Sequence, residues 1–233
     1  MAAGVTLAAT GSLAHAQMLI SPVLVDLTAK KKVVAVSVSL AATAPKPVRL
    51  QTLVQRWEQD NGKQRLTESD DILVSPAIVE LSPGTTQMFR VALRGQRPGT
   101  VEAAYRLILE DVSEIDPAQV KQGSITFRFR YDLPVFVAPL APAVDSAKWS
   151  QCSGSSGKGC LRLDNKGNRR IRLSKMNVEG KGWRQEIKDG GTVLAGAWKQ
   201  WTFDWPANYA GPLTVNAETS AGPLSIELPA ERR

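Results

Sequence analysis

Histidine is almost missing from this chain and cysteine nearly so: one His and two Cys among 233 residues. Aromatic residues make up only 6%, no apolar run approaches the roughly 18 residues that cross a bilayer, and the 3.6-residue periodicity of amphipathic helices hardly occurs. Each shortage removes a class of function. The single histidine, His15, lies in the opening stretch MAAGVTLAATGSLAHAQ, whose small residues and Ala14-His15-Ala16 ending fit a signal peptide over 1–16, cleaved before Gln17. The stretch lacks the Lys or Arg that normally begins such a peptide, which fits a truncated start. Removal of that segment leaves no imidazole, so Ser-His-Asp triads and most zinc sites are excluded. No grouping of carboxylates or lysines suggests another catalytic centre, and neither an enzyme nor a cofactor is expected.

The two cysteines, Cys152 and Cys160, flank a Gly/Ser loop in QCSGSSGKGCLRL. Export into an oxidising compartment would close them into a disulfide staple worth about 2.5 kcal/mol. A metal site would need further Cys or His ligands, which the chain does not offer. The net charge of +7 is spread along the sequence instead of forming one block, the pattern of a solvated basic surface and not of a nucleic-acid groove.

What the chain has in quantity is period-two alternation broken by turn residues every ten positions or so, the signature of an all-β sandwich. Val34, Val36, Val38 and Leu40 alternate with small or polar residues. Strands are expected too at Val48 to Trp57 before the Asp60-Asn61-Gly62 turn, at Thr86 to Leu93 after Ser82-Pro83-Gly84, at Ala103 to Val112 and at Ser124 to Val137. Pro139 and Pro142 interrupt pairing. Beyond them, LRLDNKGNRRIRL predicts a hairpin around Asn165-Lys166-Gly167-Asn168, with further strands at Thr192 to Leu194, Lys199 to Phe203 and Leu213 to Glu218. A length of 233 residues suits two cores: one sandwich over 17–138, a linker over 139–144 and a second sandwich over 145–233. Trp198, Trp201 and Trp205 are expected to be core and turn residues of the second sandwich, not a sugar-binding surface.

Four stretches, ISPVLVDL (20–27), DDILVSPAIVELSPGTTQMFRVALRG (70–95), EAAYRLILEDV (102–112) and RYDLPVFVAP (130–139), stand in an order and spacing that resembles the periplasmic pilus-assembly chaperones of chaperone-usher systems, in the style of the archaic, spore-coat-U-associated branch. The likeness covers the first half of the chain and extends more weakly through LDNKGNRRIRL and GGTVLAGAWKQW. It implies two immunoglobulin-like β-sandwich domains set at an angle, a periplasmic location, pilus subunits and an outer-membrane usher as partners, and no nucleic acid or small-molecule substrate. The function implied is capture, folding and capping of subunits by donor-strand complementation, a mode of β-augmentation in which main-chain bonds hold the strand and alternate side chains fill a groove. An immunoglobulin-like surface adhesin or structural protein is the alternative.

A donor strand needs an open edge and large apolar side chains at every second position. Ile125, Phe127, Phe129 and Tyr131 have that spacing, with Thr126, Arg128, Arg130 and Asp132 between them. Periodicity alone suits residues filling the chain's own core better; the place of the strand just before LPVF, matched to the family, favours the donor role. The loop over 113–123, with Glu114, Asp116 and Pro117, is where relatives extend this strand.

Better-studied relatives anchor the subunit's terminal carboxylate with one cation on the first strand and one on the donor strand. The first-strand position here falls at Ser21-Pro22 and the second at Asp132, neither of them basic. Arg128, Arg130 and Arg90 are the expected substitutes, because a guanidinium can grip a carboxylate bidentately. The resemblance also implies shaping roles for Pro76 and Pro83, with Ser75-Pro76 a candidate cis bond, and an interdomain role for Glu102 whose usual basic partner is replaced by Phe136, so that this ion pair is expected to be missing.

Overall fold

The computed structural model describes residues 18–95, 99–114, 128–152, 154, 158–204, 206, 209 and 211–230. These form eighteen strands and no helix. In chain order the first ten are β1 (Met18–Ser21), β2 (Val25–Leu27), β3 (Val33–Leu40), β4 (Val48–Asp60), β5 (Lys63–Glu68), β6 (Ile72–Ser75), β7 (Ile78–Leu81), β8 (Thr86–Leu93), β9 (Ala103–Asp111) and β10 (Arg130–Val137). The rest are β11 (Ala147–Gln151), β12 (Lys158–Asn165), β13 (Ile171–Gly180), β14 (Trp183–Ile187), β15 (Gly191–Val193), β16 (Trp198–Asp204), β17 (Leu213–Thr219) and β18 (Gly222–Leu228).

The first ten strands make two facing sheets, β1-β3-β8-β6 and β2-β10-β9-β4-β5, with β7 paired to β4. Alternation places Val36, Val38, Phe89, Val91, Tyr105, Leu107, Leu109 and Val135 between them, all fully buried. At roughly 1.5 to 3 kcal/mol for each large apolar side chain removed from water, this stripe holds the first sandwich together. The β4–β5 hairpin turns as its Asn-Gly pair predicts: Asn61 and Gly62 take φ of 50° and 73°, the left-handed pair that matches strand twist.

The opening strand changes sheets. β1 pairs antiparallel with β3, the chain passes the cis Ser21-Pro22 bond, and β2 then runs parallel to β10 in the opposite sheet. Ser75-Pro76, between β6 and β7, is cis as anticipated.

Strands β11 to β18 make a second pair of sheets, β11-β12-β16 and β14-β13-β17-β18, with β15 on β13. Their core centres on Leu161, Leu163, Met176, Val178, Leu213 and Val215, with Trp149 and Trp201 stacked 6.0 Å apart. Trp201 donates its indole N–H to the carbonyl of Asp189 at 2.9 Å; Trp205 lies outside the described residues. The disulfide joins Cys152 to Cys160.

The hairpin expected at 165–168 is not one. β12 and β13 belong to different sheets, so this segment is a corner that carries the chain from one sheet to the other. Asn165 is the cause: it is buried, its amide nitrogen donates to the carbonyls of Arg169, Val193 and Leu194, and its side-chain oxygen accepts from the Gly167 N–H at 3.0 Å. Satisfying a buried amide in this way fixes the bend more firmly than the turn residues alone would.

Candidate functional site

β10 is the strand on which the sequence places the site. It is paired with β9 along its whole length, from Arg130 opposite Glu110 to Val137 opposite Ala103. On its other side β2 covers only Val135 to Val137. From Arg130 to Pro134 that edge has no strand beside it among the described residues.

The ladder settles which backbone groups face outward. Phe129 accepts the N–H of Asp111 at 2.9 Å, while Ala138 donates toward Leu27 on the β2 side at 2.9 Å. Odd positions therefore spend their polar groups on β9, and Arg130, Asp132 and Pro134 turn theirs to the open side. Proline has no N–H. The edge thus offers the N–H groups of Arg130 and Asp132 and the carbonyls of Arg130, Asp132 and Pro134.

Side-chain parity runs the other way through the sandwich. Leu133, Val135 and Val137 fill the first core, Tyr131 is partly buried against it, and Phe129 stacks on Tyr131 with ring centroids 6.4 Å apart. The face that plugs this molecule's own core thus continues toward the edge of the sandwich, where Phe129 is half-buried. Ile125 and Phe127, together with loop positions from 115 onward, lie outside the described residues.

The proposed anchoring arginines separate. Arg128 donates to the Ser113 carbonyl at 3.1 Å, and Arg130 approaches Asp132 at 3.3 Å; both remain exposed beside the open edge. Arg90 sits on β8, opposite Ala35 and Ser75. That is the other sheet, so the fold does not bring it to the β10 edge.

A cleft of about 150 Å³ opens beside Pro134, between the two sandwiches, and is lined by Trp57, Arg106, Phe136, Arg170 and Arg172 among others. Arg106 stands on β9 directly across from Pro134. Its guanidinium lies 3.8 Å above the Trp57 ring, and burial lowers its pKa, with Asp132 acting in the opposite sense. No carboxylate is within ion-pair distance of Arg106 among the described residues. The Trp57 indole N–H is buried there without an acceptor. The sequence signal for this site is an arginine in the middle of the apolar run EAAYRLILED.

The interdomain ion pair expected to be missing is present. Arg170, which follows the Asn165 corner, donates to Glu102 at 2.6 Å and to Asp26 at 2.8 Å, and its own backbone N–H reaches Glu102 at 2.9 Å. Phe136 does not replace the cation; it lies under it, 3.7 Å from the guanidinium. Burial pushes the Glu102 carboxyl above its ordinary range, and the Arg170 contacts offset part of that rise. Gln59 adds two bonds across the same junction, donating to the Thr192 carbonyl and accepting from the Leu194 N–H, each at 2.8 Å. Trp57, Ala104, Phe136 and Leu194 pack together beneath them.

Residues 17–142 match the family model described as pili and flagellar-assembly chaperone, PapD N-terminal domain. Among solved structures, the chain is similar to a chain of the CsuC–CsuE chaperone–tip adhesion subunit pre-assembly complex from archaic chaperone-usher Csu pili of Acinetobacter baumannii: 24% identity, 91% of this chain and 98% of that one covered, TM-score 0.67. It is also similar to the YadV chaperone, at 15% identity, 91% and 98% coverage and a TM-score of 0.63. A chain of the Salmonella enterica SafA pilin–SafB chaperone complex gives 16% identity, 92% and 98% coverage and a TM-score of 0.61. These likenesses extend through both sandwiches and identify the fold as a pair of immunoglobulin-like domains. The comparison with curated proteins returned no match.

Proposed function

Because the chain belongs to the family of pili and flagellar-assembly chaperones, we propose that β10 and the residues leading into it form the strand it lends to a pilus subunit. The family is one of chaperones, not enzymes, and the surface-adhesin alternative is not favoured. The observation that carries the reading is the half-paired β10: outward N–H and carbonyl groups at Arg130 and Asp132, and a row of apolar side chains continuing past the chain's own core. A subunit lacking one strand exposes a groove bordered by unpaired backbone, which aggregates unless covered. Main-chain bonds along 130–134 would close that border, and Phe129, with Phe127 and Ile125 before it, would enter the groove. Two or three such side chains supply roughly 1.5 to 3 kcal/mol each.

β1 supports the same reading. Among the described residues it pairs only with β3, and none of them adds a strand to its outer edge, on the flank where the chain crosses to β2 and β10. Among the described residues that line the cleft at the end of this flank, Arg106 and Arg172 have no carboxylate within ion-pair distance, whereas Arg170 is taken by Glu102 and Asp26; Arg106 is the one directly across from Pro134. The subunit's terminal carboxylate is assigned to Arg106, with the Trp57 N–H as a second donor and Arg128 and Arg130 along the edge. The periplasmic location, the outer-membrane usher as recipient and the limits 17–138, 139–144 and 145–233 belong to the same proposal.

The test is co-purification of a co-expressed pilus subunit. Phe127→Asp and Phe129→Asp should each abolish capture while circular dichroism and solubility stay those of the parent, and Arg90→Gln should capture normally. Undiminished capture by both aspartate variants would overturn the reading.

A further inference from the structure

A second surface, away from the β10 edge, has a different chemistry. Three segments meet on the outside of the elbow between the sandwiches. The turn from Thr28 to Lys31, closed by the Thr28 N–H on the Lys31 carbonyl, follows Leu27, whose carbonyl takes the Ala138 N–H; Leu140 in turn donates to Gly99. Asn168 ties the linker to this corner, donating to the carbonyls of Thr100 and Pro142 and accepting from the Val144 N–H at 2.9 Å.

The side chains that emerge are of two kinds. Lys30, Lys31, Lys32 and Arg169 are exposed, and among the described residues none has a carboxylate within ion-pair distance. On the same joined segments three aliphatic residues stand in solvent: Val101 48% exposed, Leu140 67% and Val144 54%. Asp145, just past the linker, is an exposed acid beside them. None of these side chains lines the cleft beside Pro134. Cations around protruding aliphatic tips are the chemistry of contact with an anionic bilayer, where lysines meet headgroups and short apolar side chains enter the interface.

We propose that this elbow docks the chaperone reversibly on an anionic lipid surface, leaving the subunit-binding flank free. Two terms act together: electrostatic attraction of about fivefold in partitioning per cation, and burial of the three aliphatic tips. The first is screened as the Debye length shortens with salt; the second is not.

The experiment is flotation of the full chain with vesicles of phosphatidylcholine alone or with about one-third phosphatidylglycerol. Binding is expected on the anionic vesicles only, falling as salt rises from about 0.05 M to about 0.5 M. The triple variant Lys30→Gln, Lys31→Gln, Lys32→Gln should lose roughly 100-fold in partitioning, and Leu140→Asp should weaken it further, while both still capture a subunit. Equal flotation with neutral vesicles, no flotation with anionic ones, or an unchanged triple variant would each overturn the proposal. Equal retention on soluble polyglutamate would do so too, since it would reveal a site for acidic protein instead of lipid.

Discussion

Replacing Arg170 by methionine keeps most of the side chain's bulk and removes the charge that Glu102 and Asp26 share. Glu102 is the partner that matters: its side chain is 4% exposed, against 52% for Asp26. A solvated partner contributes little, at most about 1 kcal/mol, but an ionised carboxylate left buried alone typically costs 3 to 5 kcal/mol. Arg170 lines the cleft beside Pro134 and keeps part of its own surface exposed, so the lower end applies and Arg170→Met should destabilise the protein by about 3 kcal/mol at neutral pH. With a urea slope near 2 kcal/mol/M, the midpoint should fall by about 1.5 M. The deficit should shrink in acid. Burial already raises the Glu102 carboxyl, so this group's contribution to stability is complete below its unfolded pKa and is lost as pH rises through the folded one. Without Arg170 the folded pKa climbs further, and protonation relieves the variant. Glu102→Gln placed on the Arg170→Met background should recover much of the loss, which a double-mutant cycle in urea would measure. A loss below about 1 kcal/mol, with no dependence on pH, would show that the pair behaves as a solvated one and that the junction is not held by it.

Tyr105 donates to Asp71 and accepts from Arg56, and burial pushes its pKa up to about 12; stability should therefore be intact below pH 10 and fall by up to about 2 kcal/mol as pH approaches 12, a loss that Tyr105→Phe should abolish in alkaline urea titrations. Asn165→Ala strips a buried amide from three carbonyls and should cost about 3 kcal/mol by the same unfolding measurement, since those carbonyls lose their donor at the sheet-to-sheet corner. Reducing the Cys152–Cys160 bridge releases the small ring that restricts the unfolded chain and should lower stability by about 2.5 kcal/mol, read as a shift in thermal midpoint with and without reductant.

Local periodicity was enough to find most strands. Thr86 to Leu93 and the run from Val34 to Leu40 alternate cleanly because one face is buried and one is wet. The Asp60-Asn61-Gly62 turn was legible for the same local reason, as was the short cysteine ring. Asn165-Lys166-Gly167-Asn168 uses the same turn chemistry but serves another purpose, because the choice between hairpin and corner rests on carbonyls of Val193 and Leu194, some thirty positions later. The Glu102–Arg170 clasp, 68 residues apart in sequence, is not legible locally for the same reason. The sequence alternation from Ile125 to Val137 was plain, yet nothing in it marks Tyr131 as the position where β10 passes from the chain's own core to the open edge. Arg90 and Arg130 read alike as strand cations; only the pairing of β8 with β3 and β6 separates them.

Amide hydrogen exchange along β10, with and without a bound pilus subunit, tests the central claim most directly. The outward N–H groups of Arg130 and Asp132 should exchange quickly in the free protein and become strongly protected in the complex, while Leu133 and Val135, already bonded to β9, change little. Unaltered exchange at Arg130 and Asp132 in a saturated complex, with new protection on another edge, would contradict it.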